Sequence, residues 1–154
     1  MTGRRTRTLL WRGLDAPRME IVHAESLDRA HGTQIGVAYE LRWRLDGPLL
    51  DLRLDGGPAT RVELGDADFF DLHHSAFFNS LPVARDRLLE PGPARDYTMR
   101  FIRVPELTAE RAWQRYEPLG NRTVRYRSAG FEADISFGED GFVTLYQDYL
   151  ERLA

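Results

Sequence analysis

The run Thr33-Gln-Ile-Gly-Val-Ala-Tyr-Glu-Leu-Arg-Trp-Arg-Leu-Asp-Gly-Pro-Leu-Leu-Asp-Leu-Arg-Leu-Asp55 decides the fold class. Ile35, Val37, Tyr39, Leu41, Trp43 and Leu45 all fall on odd positions, with Gln34, Glu40, Arg42 and Arg44 between them. Side chains of a strand alternate between its two faces, so a period of two predicts a strand with one buried and one wet face. Asp46-Gly47-Pro48 is a turn, after which Leu50, Leu52 and Leu54 alternate with Asp51, Arg53 and Asp55. Two alternating runs joined by an Asp-Gly turn read as a β-hairpin.

The same pattern extends in both directions. Toward the N-terminus, Met19 to Asp28 reads as a strand, and Thr6 to Arg12 as a short apolar segment ended by Gly13 and the Asp15-Ala16-Pro17 turn. Toward the C-terminus, Val62 and Leu64 follow the Gly56-Gly57-Pro58 turn. Tyr97, Met99 and Phe101 then resume the alternation, as do Val124 with Tyr126, and Phe131, Ala133, Ile135 and Phe137. Gly138 to Gly141 turns the chain into a last run, Phe142 to Tyr146. Helical signals are few. Arg85 to Leu89 reads as one helical turn before the Pro91-Gly92-Pro93 break, and Asp148 to Ala154 as a short helical cap. The segment from Thr108 to Arg115 fits either a short helix capped by Thr108 or the opening of a strand. About eight to ten strands follow from the alternation rule. The expected architecture is all-β with minor helix: a single domain spanning residues 1–154, with 1–5 flexible, folded as a rolled or partly open antiparallel β-barrel that resembles a β-roll.

Between the two sets of strands lies Asp68-Phe-Phe-Asp-Leu-His-His-Ser-Ala-Phe-Phe-Asn-Ser-Leu-Pro-Val83, the most aromatic run of the chain. The two halves hang from it. Trp11, Tyr39, Trp43, Phe69, Phe70, Phe77, Phe78, Phe101 and Phe131 supply more bulk than one face of a flat sheet needs. A curved sheet can hold that bulk as a packed core or arrange it around a pocket.

Composition bounds the function. A chain of 154 residues can bury roughly 70% of its unfolded surface, so one self-sufficient core is expected. There is no cysteine, which removes disulfides, thiolate nucleophiles and Cys-ligated zinc, and agrees with an expected cytoplasmic location. All 21 basic residues are arginine and the net charge is −3. Arg4, Arg5 and Arg7 imitate the basic start of a signal peptide, but Leu9-Leu10-Trp11 falls short of the roughly 7–15 apolar residues an export signal requires. No run approaches the ~20 apolar residues of a spanning helix.

Each candidate chemistry has a plainer reading beside it. Asp66, Asp68, Asp71, His73 and His74 gather oxygen and imidazole ligand types. On a strand, however, neighbouring His73 and His74 would point to opposite faces, so a solvated acidic turn is expected and no metal. Ser75 and Ser80 stand near these histidines, but no nucleophile elbow, zinc-protease, dinucleotide or phosphate-loop motif is present, so neither catalytic residues nor cofactors are assigned. Arg42 with Arg44, and Arg125 with Arg127, share strand faces as a phosphate grip would require. Interleaved acids and the negative net charge favour cross-strand ion pairs over nucleic-acid binding.

Five segments in order carry a family resemblance: Leu-Leu-Trp-Arg-Gly-Leu-Asp-Ala-Pro from Leu9, Phe-Phe-Asn-Ser-Leu-Pro-Val from Phe77, Phe-Ile-Arg-Val-Pro-Glu-Leu from Phe101, Gln-Arg-Tyr-Glu-Pro-Leu-Gly from Gln114, and the closing Gly-Phe-Val-Thr-Leu-Tyr. Together they resemble the bacterial putative glycolipid-binding family. The resemblance implies a rolled antiparallel sheet similar to bacterial lipid and lipoprotein carriers, and non-catalytic binding of an amphipathic lipid or glycolipid, as carrier or sensor. It points to Arg12, Asn79, Arg103, Gln114 and Tyr116 as headgroup contacts; on their bulk alone, Tyr39, Phe69, Phe77 and Phe101 are expected to line the interior. The structural alternatives are an Asn79 side chain bonded to its own turn, Arg103 paired with Glu106 or Glu117, and aromatic rings that are only core. The segment between Leu54 and Asp68 is shorter than the family pattern. Two other functions stand beside this one: a small hydrolase or isomerase acting on a sugar-like substrate, and a protein-interaction module without a small ligand.

Overall fold

The computed structural model describes residues 6–154, so the expected flexibility of residues 1–5 lies outside it. Six strands come first: β1 (Arg7–Gly13), β2 (Met19–Ser26), β3 (Arg29–Ile35), β4 (Glu40–Asp46), β5 (Leu49–Leu54) and β6 (Ala59–Glu63). Each pairs antiparallel with the one before it, because each connection is a tight turn. β7 (Phe69–Leu72), a 3₁₀ turn (Phe77–Asn79) and the short helix α1 (Ser80–Arg85) follow. β8 (Arg95–Ile102), β9 (Ala109–Gly120), β10 (Thr123–Ser128), β11 (Phe131–Phe137), β12 (Val143–Tyr146) and β13 (Leu150–Arg152) complete the chain.

The thirteen strands of the described residues belong to one sheet, in the order β6-β5-β4-β3-β2-β1-β13-β12-β11-β10-β9-β8-β7. The chain starts mid-sheet at β1, winds out to one edge at β6, crosses to the other edge at β7, and winds back until β13 pairs with β1. The sheet is not closed, and its two edges are joined by the turn from Leu64 to Asp68. One strand pair, β7 with β8, is parallel. A parallel pair needs a long crossover, and His73 to Ala94, which carries α1, provides it.

The crossover also fills the roll. Phe77 and Phe78 are fully buried, and both rings pack on Trp43 of β4, at 5.6 and 5.1 Å between centroids. Phe77 also meets Phe142, on the loop before β12, at 6.1 Å. One dipeptide thus joins the inner faces of both halves. Leu9, Trp11, Leu41, Leu45, Leu50, Leu52, Tyr116 and Ile135 complete the surrounding core. Trp43 lies across the backbone of Gly32, where an added Cβ would stand 2.5 Å from the indole, so β3 carries no side chain there.

Several expectations are corrected. The alternation from Thr33 to Leu45 is two strands, because Gly36 to Tyr39 forms a turn closed by the Gly36 N–H donating to the Tyr39 carbonyl at 3.0 Å. The inward phase changes at that turn: Ala30, Gly32 and Gln34 face inward on β3, while Ile35 and Val37 are exposed. Met19 to Asp28 likewise ends at Ser26 and turns into β3. The helical turn falls at Ser80–Arg85 rather than Arg85–Leu89. The segment from Thr108 to Arg115 is strand from Ala109 onward, in β9, and not helix. Asp148 to Ala154 is not a helical cap, because Leu150–Arg152 pairs with both β1 and β12, and pairing across the sheet outweighs local helix preference.

Candidate functional site

A cleft of about 620 Å³ opens on the inner side of the second half of the sheet. Its size is that of a small-molecule site. One wall is the segment that follows β7, with His73, His74, Ser75 and Asn79; Gln147 to Tyr149 also line the cleft, joined to that wall where His74 meets Tyr149. The sheet contributes Asp71, Phe101, Gln114, Tyr126, Phe131 and Tyr146.

The polar groups of the floor are built by cross-strand register. Gln114 of β9 is 1% exposed, and its Nε2 donates to Asp71 Oδ2 at 2.6 Å, reaching across β8 to β7. Burial pushes the Asp71 carboxyl up to about 6, although the Gln114 bond works against the rise. Gln114 Oε1 has no hydrogen-bond partner. Beside this pair, Asn79 Nδ2 donates to the Tyr116 hydroxyl at 3.0 Å. Tyr126, Phe131 and Tyr146 stand 6.0 to 6.5 Å apart and form a continuous aromatic wall.

His73 and His74 stack at 3.6 Å, contrary to the expectation of opposite faces. The reason is local: both follow the end of β7, and His74 takes a left-handed backbone conformation (φ 66°) that turns its ring back onto its neighbour. His74 Nδ1 is hydrogen-bonded to the Tyr149 hydroxyl. Burial, then the neighbouring His73, hold His74 down to about 3, so its ring is neutral at neutral pH. No group of three or more metal-ligating side chains converges among the described residues. The expected solvated acidic segment describes exposed Asp66 but not Asp71, which is half-buried on the edge strand and bonded by Gln114.

Behind the cleft lies a second buried carboxyl, Glu20 of β2, which is 2% exposed. Ser75 Oγ donates to it at 2.6 Å, Trp43 Nε1 at 3.1 Å and Gln34 Nε2 at 3.3 Å. Gln34 Nε2 also reaches the His73 carbonyl at 3.1 Å, so this cluster ties the cleft wall to β2, β3 and β4. Desolvation pushes Glu20 up to about 7 despite its three donors. Ser75 is committed here and is not paired with a histidine.

The nine residues expected at a ligand site separate into groups. Asn79, Phe101, Arg103 and Gln114 line the cleft, and Tyr116 is buried directly behind Asn79. Asn79 bonds Tyr116 rather than its own turn, and Arg103 pairs with Glu110 at 2.9 Å rather than with Glu106 or Glu117. Phe69 lies elsewhere, in an apolar cavity of about 430 Å³ with Leu27, Leu45, Leu64, Phe70 and Leu81, beneath the Arg85 guanidinium at 4.5 Å. Phe77 is core. Tyr39 donates to Gln34 Oε1 at 2.6 Å and touches neither cavity. Arg12 sits on the outer face, half exposed, paired with Glu151 at 3.0 Å. The outward arginines Arg42, Arg125 and Arg127 each meet a carboxylate, of Glu40, Asp134 and Glu132.

Sequence reasoning missed Glu20, Tyr126, Tyr146 and Tyr149, and met Asp71 only as a metal ligand. Glu20 had a readable signal, since it shares the phase of Val22 and Ala24 on β2, a carboxyl on an apolar face. Tyr149, in the turn between β12 and β13, had none.

The profile of a family described as putative glycolipid-binding matches residues 43–152. A crystal structure of a DUF1089 family protein from Pseudomonas aeruginosa is similar with a TM-score of 0.61 at 18% identity, covering 99% of this chain and 94% of that one; the likeness extends to the fold alone. No curated protein matches. No helix among the described residues is long and apolar enough to cross a membrane.

Proposed function

The chain belongs to the putative glycolipid-binding family, and from that premise we propose that it binds an amphipathic lipid or glycolipid non-covalently, with the polar head in the cleft between His73–Asn79 and Gln147–Tyr149. One domain, residues 1–154, carries this activity, as carrier or sensor. The observation that supports the reading is the composition of the cleft: an aromatic wall of Tyr126, Phe131 and Tyr146 beside a polar floor of buried Asn79 and Gln114 and half-buried Asp71. Sites for small ligands combine apolar walls with a few convergent polar groups that fix orientation. Phe131 and Phe101, only partly buried, offer apolar contact at the mouth.

The test is to extract the purified protein with organic solvent and examine the extract by mass spectrometry. The proposal expects a stoichiometric amphiphile, or, if the protein purifies empty, saturable binding of a fluorescent acyl-glycoside that Tyr126→Ala weakens. An empty protein that binds no amphiphile at micromolar concentration would overturn it.

A further inference from the structure

We propose that His23 and His31, which face each other across β2 and β3 on the outer side of the sheet, form a two-imidazole site for a borderline divalent transition-metal ion of the zinc, nickel and copper class. The site stands apart from the cleft and does not depend on the amphiphile reading. Three observations carry it.

First, strand register brings the two rings together. His23 of β2 is the direct cross-strand partner of His31 of β3, and their ring centroids stand 5.0 Å apart with 33° between the ring planes. Their neighbours Val22, Ala24, Ala30 and Gly32 point inward, so both imidazoles lie on the outward face. Two nitrogens on one tetrahedral zinc ion are about 3.3 Å apart when each bond is about 2.0 Å, a spacing these rings reach by side-chain rotation with the backbone fixed. Because the histidines belong to separate strands, an ion bound to both clamps the β2–β3 hairpin.

Second, His23 is oriented from behind. Thr8 of β1 is its cross-strand partner on the other side, with Oγ1 at 3.1 Å from His23 Nδ1. When the Thr8 hydroxyl accepts the Nδ1 proton, the Nε2 lone pair is left free for a metal. A ligating imidazole characteristically gives its other N–H to such a partner, which fixes both tautomer and ring orientation.

Third, the surroundings suit neutral imidazole. Desolvation, then the neighbouring His23 and Arg44, lower the pKa of His31 from its ordinary value, so at neutral pH its ring offers a lone pair rather than a proton. Arg44 faces His31 from β4, but Asp51 stands opposite Arg44 on β5, and Glu25, exposed near the end of β2 and paired with Arg29 at 3.6 Å, also acts on His31 as a negative charge. Among the described residues no group of three or more metal-ligating side chains converges, so water completes the coordination. Two nitrogen donors disfavour calcium and magnesium, which take oxygen ligands, and favour the ions that imidazole suits.

Isothermal titration of the full chain with zinc chloride at pH 7.5, after removal of any affinity tag and treatment with chelator, tests the site. One equivalent of zinc should bind saturably at micromolar concentration and raise the thermal midpoint, and magnesium chloride should do neither. His23→Ala and His31→Ala should each abolish that binding, and Thr8→Val should weaken it about tenfold with both imidazoles still present. None of the three side chains is buried, so the variants should fold, which circular dichroism checks. Absence of saturable zinc binding overturns the proposal, and so does binding that survives both alanine variants, because the ion then sits elsewhere. Binding that Thr8→Val leaves unchanged overturns the oriented site and reduces the pair to an adventitious chelate. Amphiphile binding enters none of these outcomes, so loss of the metal site leaves the proposed function untouched.

Discussion

Replacing Glu20 by Gln should make the protein more stable at pH 8 and flatten its dependence on pH. Glu20 is enclosed between β2 and the His73–Asn79 segment with three neutral donors and no arginine, so its ionisation is opposed by desolvation. Its carboxyl moves from 4.5 in the open chain to about 7 in the fold. The folded state therefore holds its proton longer than the unfolded state. Below pH ~4.5 both states are protonated and the group costs nothing; between there and pH ~7 the unfolded chain ionises first and stability falls; above pH ~7 the whole penalty is present. At ~1.4 kcal/mol for each tenfold in protonation, that penalty is roughly 3 kcal/mol. For a chain of this size it corresponds to about 6–12 °C in Tm. Glutamine keeps the shape, accepts from Trp43 and Gln34, and can donate to Ser75 Oγ, so little is lost by the exchange. Urea midpoints at pH 5, 6, 7 and 8, with the slope m checked for constancy, read the effect directly. If Glu20→Gln follows the wild-type pH dependence between pH 6 and 8, or is the less stable protein at pH 8, the assignment of a neutralised buried carboxyl at this position is wrong.

Asp71→Asn should remove the lower part of the same pH dependence, between pH ~4 and ~6, because its carboxyl is raised in the fold from 3.8 to about 6; equilibrium unfolding of this variant alone and together with Glu20→Gln separates the two windows. Phe77→Ala should cost about 3–5 kcal/mol in chemical denaturation, since the ring is fully buried between Trp43 and Phe142. Arg12→Ala should change stability by less than about 1 kcal/mol and leave amphiphile binding intact, because Arg12 is exposed, its partner Glu151 is partly so, and the cleft lies elsewhere. Gly32→Ala should destabilise by about 1–3 kcal/mol and shift the tryptophan emission, as the new methyl must displace the Trp43 indole.

Strand after strand was legible because alternation is a local property. Leu50 and Leu52, Tyr97 and Met99, and Ala133, Ile135 and Phe137 are buried as the period of two requires. It failed where two strands happen to share a parity across a turn. Ile35 and Val37 continue the odd-numbered series of Leu41, Trp43 and Leu45, but the turn at Gly36 to Tyr39 reverses the chain, and nothing in the spacing marks the change of face. The last strand was hidden for a different reason. Leu150–Arg152 has no strong preference of its own and becomes a strand because β1 and β12 stand on either side of it. Within the site, Asn79, Phe101, Arg103 and Gln114 were reachable through motif resemblance, whereas the pairing of Gln114 with Asp71 depends on β7 lying parallel to β8, a register no local pattern encodes.

The segment from Asp68 to Val83 ties the site to the fold. It forms the edge strand β7, supplies Asp71, His73, His74 and Asn79 to the cleft and Phe69 and Leu81 to the apolar cavity, and then places Phe77 and Phe78 in the core. A cleft wall anchored in this way cannot shift without disturbing the packing on Trp43, so the site is held in shape before any ligand arrives. The same anchoring is costly. Glu20 holds the wall through Ser75 while its own carboxyl is desolvated, and Asp71 and Gln114 leave one acceptor unanswered in the floor. An interior selected only for packing would place apolar side chains at all three positions. That these strands accept polar groups at inward positions, two of them in the floor of the cleft, is the observation on which the proposed ligand site rests.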